Sequence, residues 1–177
     1  MEKNEKKCIE IEIYNAGVLS LQAFACVVPQ KRTGISLTGV SASIIHSPAR
    51  DGIIAFQKTI RDKKMLPFGN STAHHCSGKN YRYLISIPVL GASRLETEIA
   101  IISALARADK IKAESIVIPA INTGESGALS YEESAKITKK AIHKLSEFYV
   151  VANLKKILLA LPNENAYDIY KKTFEEE

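Results

Sequence analysis

The residues best placed to do chemistry form one stretch, Ala120-Ile121-Asn122-Thr123-Gly124-Glu125-Ser126-Gly127-Ala128-Leu129, between an apolar run ending at Pro119 and a helix signature at Ser130. Gly124 and Gly127 let the backbone turn left-handed and approach a ligand without an intervening Cβ. Free backbone N–H groups, the hydroxyls of Thr123 and Ser126, and the positive end of a nearby helix are what an anionic phosphate requires. The spacing matches neither the P-loop nor the dinucleotide-binding glycine pattern. A tight strand-to-helix turn that binds nothing would use the same glycines. Glu125 is the one candidate general base, acting on water near a ribose or phosphate; a lone loop carboxylate more often faces solvent, and beside a diphosphate it repels. His74-His75-Cys76 is the only cluster with metal-ligand chemistry. Adjacent side chains point apart and no ligand spacing recurs elsewhere, so neither a metal nor a cofactor is expected. Nothing specifies Cys76 with His74 or His46 as a nucleophilic pair.

These residues need elements to position them, and the chain supplies an alternation of strands and helices. Cys8 to Tyr14 and Phe24 to Val28 read as strands, the second broken at Pro29, followed by helices from Val40 towards Ile45 and from Asp51 to Arg61. Tyr83 to Ile87 is a strand stopped by Pro88. Ser93-x-x-Glu96 is a capping box ahead of Leu95, Ile99, Ile102 and Ala106 at helical spacing. Ser115 to Pro119 has the uninterrupted apolar core of a strand buried on both faces of a parallel sheet. A second capping box, Ser130-x-x-Glu133, opens a helix with an inner face of Ile137, Ala141, Leu145 and Phe148; Ile157 to Leu161 is the last strand and Ala166 to Phe174 the last helix. The expectation is an α/β fold in three layers, with a central mixed, mostly parallel sheet, Ser115 to Pro119 inside it, and helices on both faces.

Composition bounds the function without choosing it. At 177 residues the chain is expected to form one domain, with residues 1–7 a flexible leading segment. Its 46% apolar and 24% charged residues place it among folded globular chains rather than disordered ones. No apolar run is long enough to span a membrane, and the charged start lacks a secretory signal, so a soluble, intracellular protein is expected. Three cysteines without paired spacing suggest no disulfide framework; Cys8 and Cys26, in apolar runs, read as small core residues. The net charge of +5 favours anionic partners in general, and would make binding of a diphosphate weaken with salt. Nucleic acid is not indicated beyond that charge, because no stripe of exposed aromatics is legible.

Ile118-Pro119-Ala120-Ile121-Asn122-Thr123-Gly124, followed by Gly127 and the helix of Glu132, Glu133, Ala135 and Ile137, resembles the second ligand loop of the macro domains, the ADP-ribose-binding family. Tyr81 to Val89 resembles the family's strand before its long helix. Lys155 to Leu161 with Ala166 to Tyr170 is similar to its last strand and helix. The resemblance implies that Asn122, Thr123, Gly124, Glu125, Ser126, Gly127 and Ala128 wrap a diphosphate and distal ribose, and that Pro162 and Asn163 lie near the adenosine. Gly34, Gly39, Val40 and Ser41 represent the family's glycine-rich first loop. Two positions depart from the pattern. Asn15-Ala16-Gly17-Val18 carries no acid where the family has a Gly-Asp pair reading the adenine amino group, and Ala25 to Lys31 carries no asparagine where the family positions ribose and water. The resemblance therefore implies diphosphate binding more strongly than adenine selectivity or hydrolysis. Its leading expectation is a recognition module for ADP-ribose or a related nucleotide diphosphate, with an ADP-ribosylated protein as a partner. The alternatives are a hydrolase or phosphatase of the same fold, and a ligand-free scaffold.

Overall fold

The computed structural model describes residues 9–176. The leading segment 1–7 and Cys8 lie outside the described residues. The strands are β1 (Glu10–Asn15), β2 (Ala25–Gln30), β3 (Thr72–His75), β4 (Tyr83–Pro88), β5 (Ser115–Pro119) and β6 (Lys156–Leu161). They form one six-stranded sheet in the order β1-β6-β5-β2-β4-β3. All neighbours pair parallel except β3, which runs antiparallel along β4. Ser115 to Pro119 is interior, as its unbroken apolar sequence requires: a strand with sheet on both sides and helices above and below exposes no face to water.

The helices are α1 (Gly39–Ile45), α2 (Arg50–Lys63), α3 (Arg94–Lys110), α4 (Tyr131–Phe148) and α5 (Glu164–Glu175). α3, α4 and α5 pack against one face, over a core that includes Ile85, Ile101, Leu105, Ile116, Leu145, Leu159 and Tyr170. α1 and α2 cover the other, over Cys26, Val28, Ile44, Ile53, Leu84 and Val117. Both capping boxes form: Ser93 and Glu96 close the start of α3, Ser130 and Glu133 the start of α4. Each satisfies two otherwise orphaned backbone donors, which fixes where each helix begins.

Two helix faces differ from the sequence reading. Leu95 and Ile99 are exposed, and the buried stripe of α3 is instead Thr97, Ile101, Ala104, Leu105 and Ala108. α3 packs against both the sheet and its neighbour α4, so two of its sides are packed and its apolar residues do not mark a single phase. On α4, Ile137, Ala141 and Leu145 are buried as expected, but Phe148 is 69% exposed. Tyr149 and Val150 after it are exposed too, so among the described residues nothing covers the last turn.

β2 also runs two residues further than Pro29 suggested. The ladder explains why. The Gln30 carbonyl accepts from Val89 and Leu90 N–H on the β4 side, so by strand alternation Pro29 addresses the β5 side. There the β2–β5 register ends at Cys26↔Val117, and no N–H is needed. Proline is tolerated in this central strand because the ladder beside it has already parted.

Candidate functional site

That parting makes the site. β2 pairs with β4 over six residues but with β5 over only two, Ala25↔Ile116 and Cys26↔Val117. The strands splay towards their carboxyl ends, at the point where the chain's crossovers reverse direction in an open α/β sheet. A cleft of about 630 Å³ opens there, within the range of small-ligand sites. Five strand ends contribute to its wall: Ala16 to Val18 after β1, Pro29 of β2 with Ser36, Thr38, Gly39 and Val40 beyond it, Leu90 after β4, Pro119, Ala120 and Asn122 to Ser126 at β5, and Pro162 after β6. Tyr131, the first residue of α4, completes it.

The glycine loop has a defined internal architecture. Asn122 adopts φ +58 and is fully buried. Its Oδ1 accepts from Gly91 N (3.1 Å) and Ala128 N (3.2 Å), while its Nδ2 donates to Ala92 O (2.9 Å) and Thr97 Oγ1 (3.1 Å). Asn122 borders the cleft, but its side chain is saturated from within and ties the loop to the turn before α3. Gly127 is sterically obligatory, since a Cβ there would lie 2.3 Å from the Asn122 carbonyl oxygen. Gly124 is different: it has φ +77, and a Cβ added there would meet no atom within 4 Å, so its surface faces open space. Leu129 N donates to Asn122 O (3.0 Å) and closes the loop just ahead of the α4 cap.

The first loop is held by Gln30. Its Oε1 accepts from Ser36 N (2.8 Å) and Ser41 Oγ (3.2 Å), and Gln30 itself is fully buried. Ser41 therefore sits behind the loop, 1% exposed, while Gly39 and Val40 line the cleft. Gly34 closes the turn at Lys31 rather than facing the cleft. Thr38 Oγ1 and Ser126 Oγ lie 3.1 Å apart, joining the two loops across the cleft. Pro162 lines the wall; Asn163 next to it caps α5 through Ala166 N (2.9 Å) and donates to the Tyr131 hydroxyl (3.2 Å). Gln30, Ser36, Thr38 and Tyr131 were not singled out by sequence. Only the Ser130 capping box hinted at Tyr131, by fixing where α4 starts.

Electrostatically the cleft is sparse. Among the described residues no lysine or arginine lines it, and Glu125 is the one carboxylate, exposed to solvent. The basic surface therefore does not extend into the cleft. The α4 amide end is also partly occupied, because Glu133 N donates to Ser130 Oγ (3.2 Å) and Ser130 N to Glu133 Oε2 (3.0 Å). An anion here would meet loop amides and hydroxyls rather than cations.

The His-Cys cluster lies elsewhere. Among the described residues no group of three or more His, Cys, Asp or Glu is arranged to hold a metal. His74 packs edge-on to Phe56, and burial lowers its imidazole pKa. Burial likewise raises the thiol pKa of Cys76, which donates to Tyr81 O (3.3 Å). A shielded, protonated thiol is a poor nucleophile. No described helix is long and apolar enough to cross a membrane.

No family model matches the chain. An uncharacterized protein of Sulfolobus acidocaldarius is 28% identical over 175 residues, 94% of this chain and 91% of the relative. One of Sulfurisphaera tokodaii is 38% identical over 87 residues, 49% of this chain and 45% of its own. Among solved structures, the Oceanobacillus iheyensis macrodomain with ADP superposes at TM-score 0.81 with 20% identity, covering 99% of this chain and 94% of that one. A mutant of the same macrodomain with ADPR gives 0.81 at 19% identity, over 98% and 95%. The Trypanosoma brucei macrodomain in complex with ADP gives 0.78 at 19%, over 98% and 72%. At such identities the likeness is one of architecture, and the chain has the macrodomain fold.

Proposed function

We propose that this protein is a divergent macro domain that binds ADP-ribose or a related nucleotide diphosphate in the cleft, as a recognition module for the free ligand or an ADP-ribosylated protein. One observation carries the reading: the splayed end of β2 and β5 opens onto a glycine loop whose Gly124 backbone faces free space beside the hydroxyls of Thr123 and Ser126. The structural neighbours solved with ADP and ADPR support it. In this reading the diphosphate lies along Thr123 to Ser126, with Asn122, Gly127 and Ala128 shaping the loop. Gly39 and Val40 close the opposite side, Ser41 stands behind them, and Pro162 and Asn163 flank the nucleoside. The β1 end offers Ala16, Gly17 and Val18, so base recognition there rests on shape and backbone. Isothermal titration is expected to show affinity rising from inorganic diphosphate through ADP to ADP-ribose. No heat with any of them at millimolar ligand would sink the proposal.

A second reading rests on Glu125, the one carboxylate lining the cleft. As a general base it would make the protein a hydrolase of ADP-ribosyl or O-acetyl-ADP-ribose bonds, or a phosphatase of an ADP-ribose phosphate. Turnover of such substrates, lost in Glu125→Gln with ADP-ribose affinity retained, would decide for catalysis.

A further inference from the structure

A second concavity lies at the opposite pole of the sheet. It is formed at the amino ends of β2, β4 and β5 by Ala23 and Phe24, Lys79 to Arg82, and Lys112, Glu114 and Ser115. Its volume is about 470 Å³. The cleft at the carboxyl ends is a full strand length away, about 17–20 Å for five to six residues, so the two sites do not overlap.

Three cations line this groove: Lys79, Arg82 and Lys112, each exposed. None is paired with a carboxylate among the described residues. Among the described residues the groove's one acid is Glu114, which pairs with Lys155 at 2.8 Å. Aromatic surface accompanies the charge. Phe24 lines the groove with the Arg82 guanidinium 5.6 Å over its ring; outside the lining, Tyr83 stacks on Phe24 with centroids 5.9 Å apart and planes within 12°, and His75 meets Tyr83 edge-on at 5.5 Å. A planar guanidinium over an aromatic ring, beside unpaired cations, suits a polynucleotide strand, with phosphates on the cations and a base over the Arg82–Phe24 pair. No linear stripe shows this platform, because its members come from three separate segments that only the parallel sheet brings to one end.

We propose that this groove binds single-stranded nucleic acid, with backbone phosphates on Lys79, Arg82 and Lys112 and a base stacked over the Arg82–Phe24 pair. Three phosphate contacts on a single strand set the salt dependence. The slope of log affinity against log salt is about −2, so affinity falls about twentyfold between 50 and 200 mM salt.

The test is fluorescence anisotropy of the whole chain with labelled dodecamers of oligo(dT), of an abasic strand with the same phosphates, and of a duplex, with polyaspartate as competitor. Expected are binding of oligo(dT) with that slope, at least fivefold weaker binding of the abasic strand, and no displacement by ADP-ribose. Lys79→Glu/Lys112→Glu should lose binding, and Arg82→Ala should narrow the gap between oligo(dT) and the abasic strand; unchanged thermal midpoints show that both variants fold. Absence of binding at 50 mM salt, equal affinity for the abasic strand or the duplex, efficient competition by polyaspartate, or full binding by the double variant would each overturn the proposal.

Discussion

Asn122→Ala tests whether the glycine loop is held as described. The substitution removes four hydrogen bonds and strands the N–H groups of Gly91 and Ala128, the Ala92 carbonyl and one contact of Thr97 Oγ1. At about 1 kcal/mol net for each bond the loss is about 4 kcal/mol. Alanine at φ +58 adds about 1 kcal/mol that asparagine largely escapes, while water entering the vacated space returns part of the loss. The expected destabilisation is therefore about 3–5 kcal/mol. In a protein of this size each kcal/mol moves the midpoint by about 2–4 °C, so calorimetry should show a fall on the order of 10 °C. Asn122→Gly separates the two contributions, since it loses the same bonds without the backbone strain. ADP-ribose titrations on both variants should show weakened binding, because the loop loses its tie to the turn before α3. A fall below about 2 °C for Asn122→Ala would refute the argument: the loop would then be fixed by its glycines alone.

Gly124→Glu should fold, since its Cβ meets no atom and the left-handed backbone costs about 1–2 kcal/mol, yet abolish ADP-ribose binding; a folded variant that binds at wild-type strength would show the loop to be only a turn. Gly127→Ala should lower the thermal midpoint well below that of Gly124→Ala, because its Cβ would collide with Asn122 backbone atoms at 2.3 and 2.4 Å; equal midpoints would contradict the loop geometry. Burial pushes the Glu98 carboxyl up, but hydrogen bonds from Lys140 and Lys144 outweigh it and hold its pKa below the ordinary 4.5. A depressed carboxylate contributes stability that is full above the unfolded value and lost as pH falls through the folded one; Glu98→Gln should thus cost about 1–2 kcal/mol at neutral pH and progressively less in acid unfolding curves below pH 4.5. ADP-ribose affinity should change by less than about threefold between 50 and 500 mM salt, since no cation among the described residues lines the cleft; a steep dependence would place the ligand on the basic surface instead.

The sequence was most informative where one local rule acts alone. The two capping boxes, the apolar core of Ser115 to Pro119 and the glycine loop after it could all be read directly, because each encodes its own backbone geometry. Burial was less legible wherever an element has more than one packed side. α3 buries Thr97 and Glu98 while Leu95 and Ile99 face solvent, and no single period carries that arrangement. Pro29 looked like a strand end because its missing N–H is visible in sequence, whereas the absence of a β5 partner beside it is a property of the sheet. Asn122 read as a ligand residue from its place in the loop; that three of its four side-chain contacts go inward to Gly91, Ala92 and Thr97 depends on residues more than twenty positions earlier. Gln30 was passed over for the same reason, since its partners Ser36 and Ser41 identify it only once the first loop has folded back.

The splay between β2 and β5 also explains why the two poles differ in chemistry. Five parallel strands send all their carboxyl ends one way, but the ladder parts only after Cys26 and Val117, so the sheet opens at that end alone. There the loops line the gap and offer a ligand amides, hydroxyls and glycine surface, with no cation among the described lining residues. At the amino end the strands stay laced. Phe24 N donates to Ser115 Oγ at 3.0 Å, Ala23 N to Asn80 O at 3.1 Å and Arg82 N to Phe24 O at 3.0 Å. With these backbone groups paired, side chains are left to face a ligand, and those lining the groove include Lys79, Arg82, Lys112 and Phe24, with Glu114 held by Lys155. A compact diphosphate suits the first arrangement, because closely spaced backbone dipoles can converge on it. An extended strand of phosphates and bases suits the second, where the charges are spread across a shallower surface.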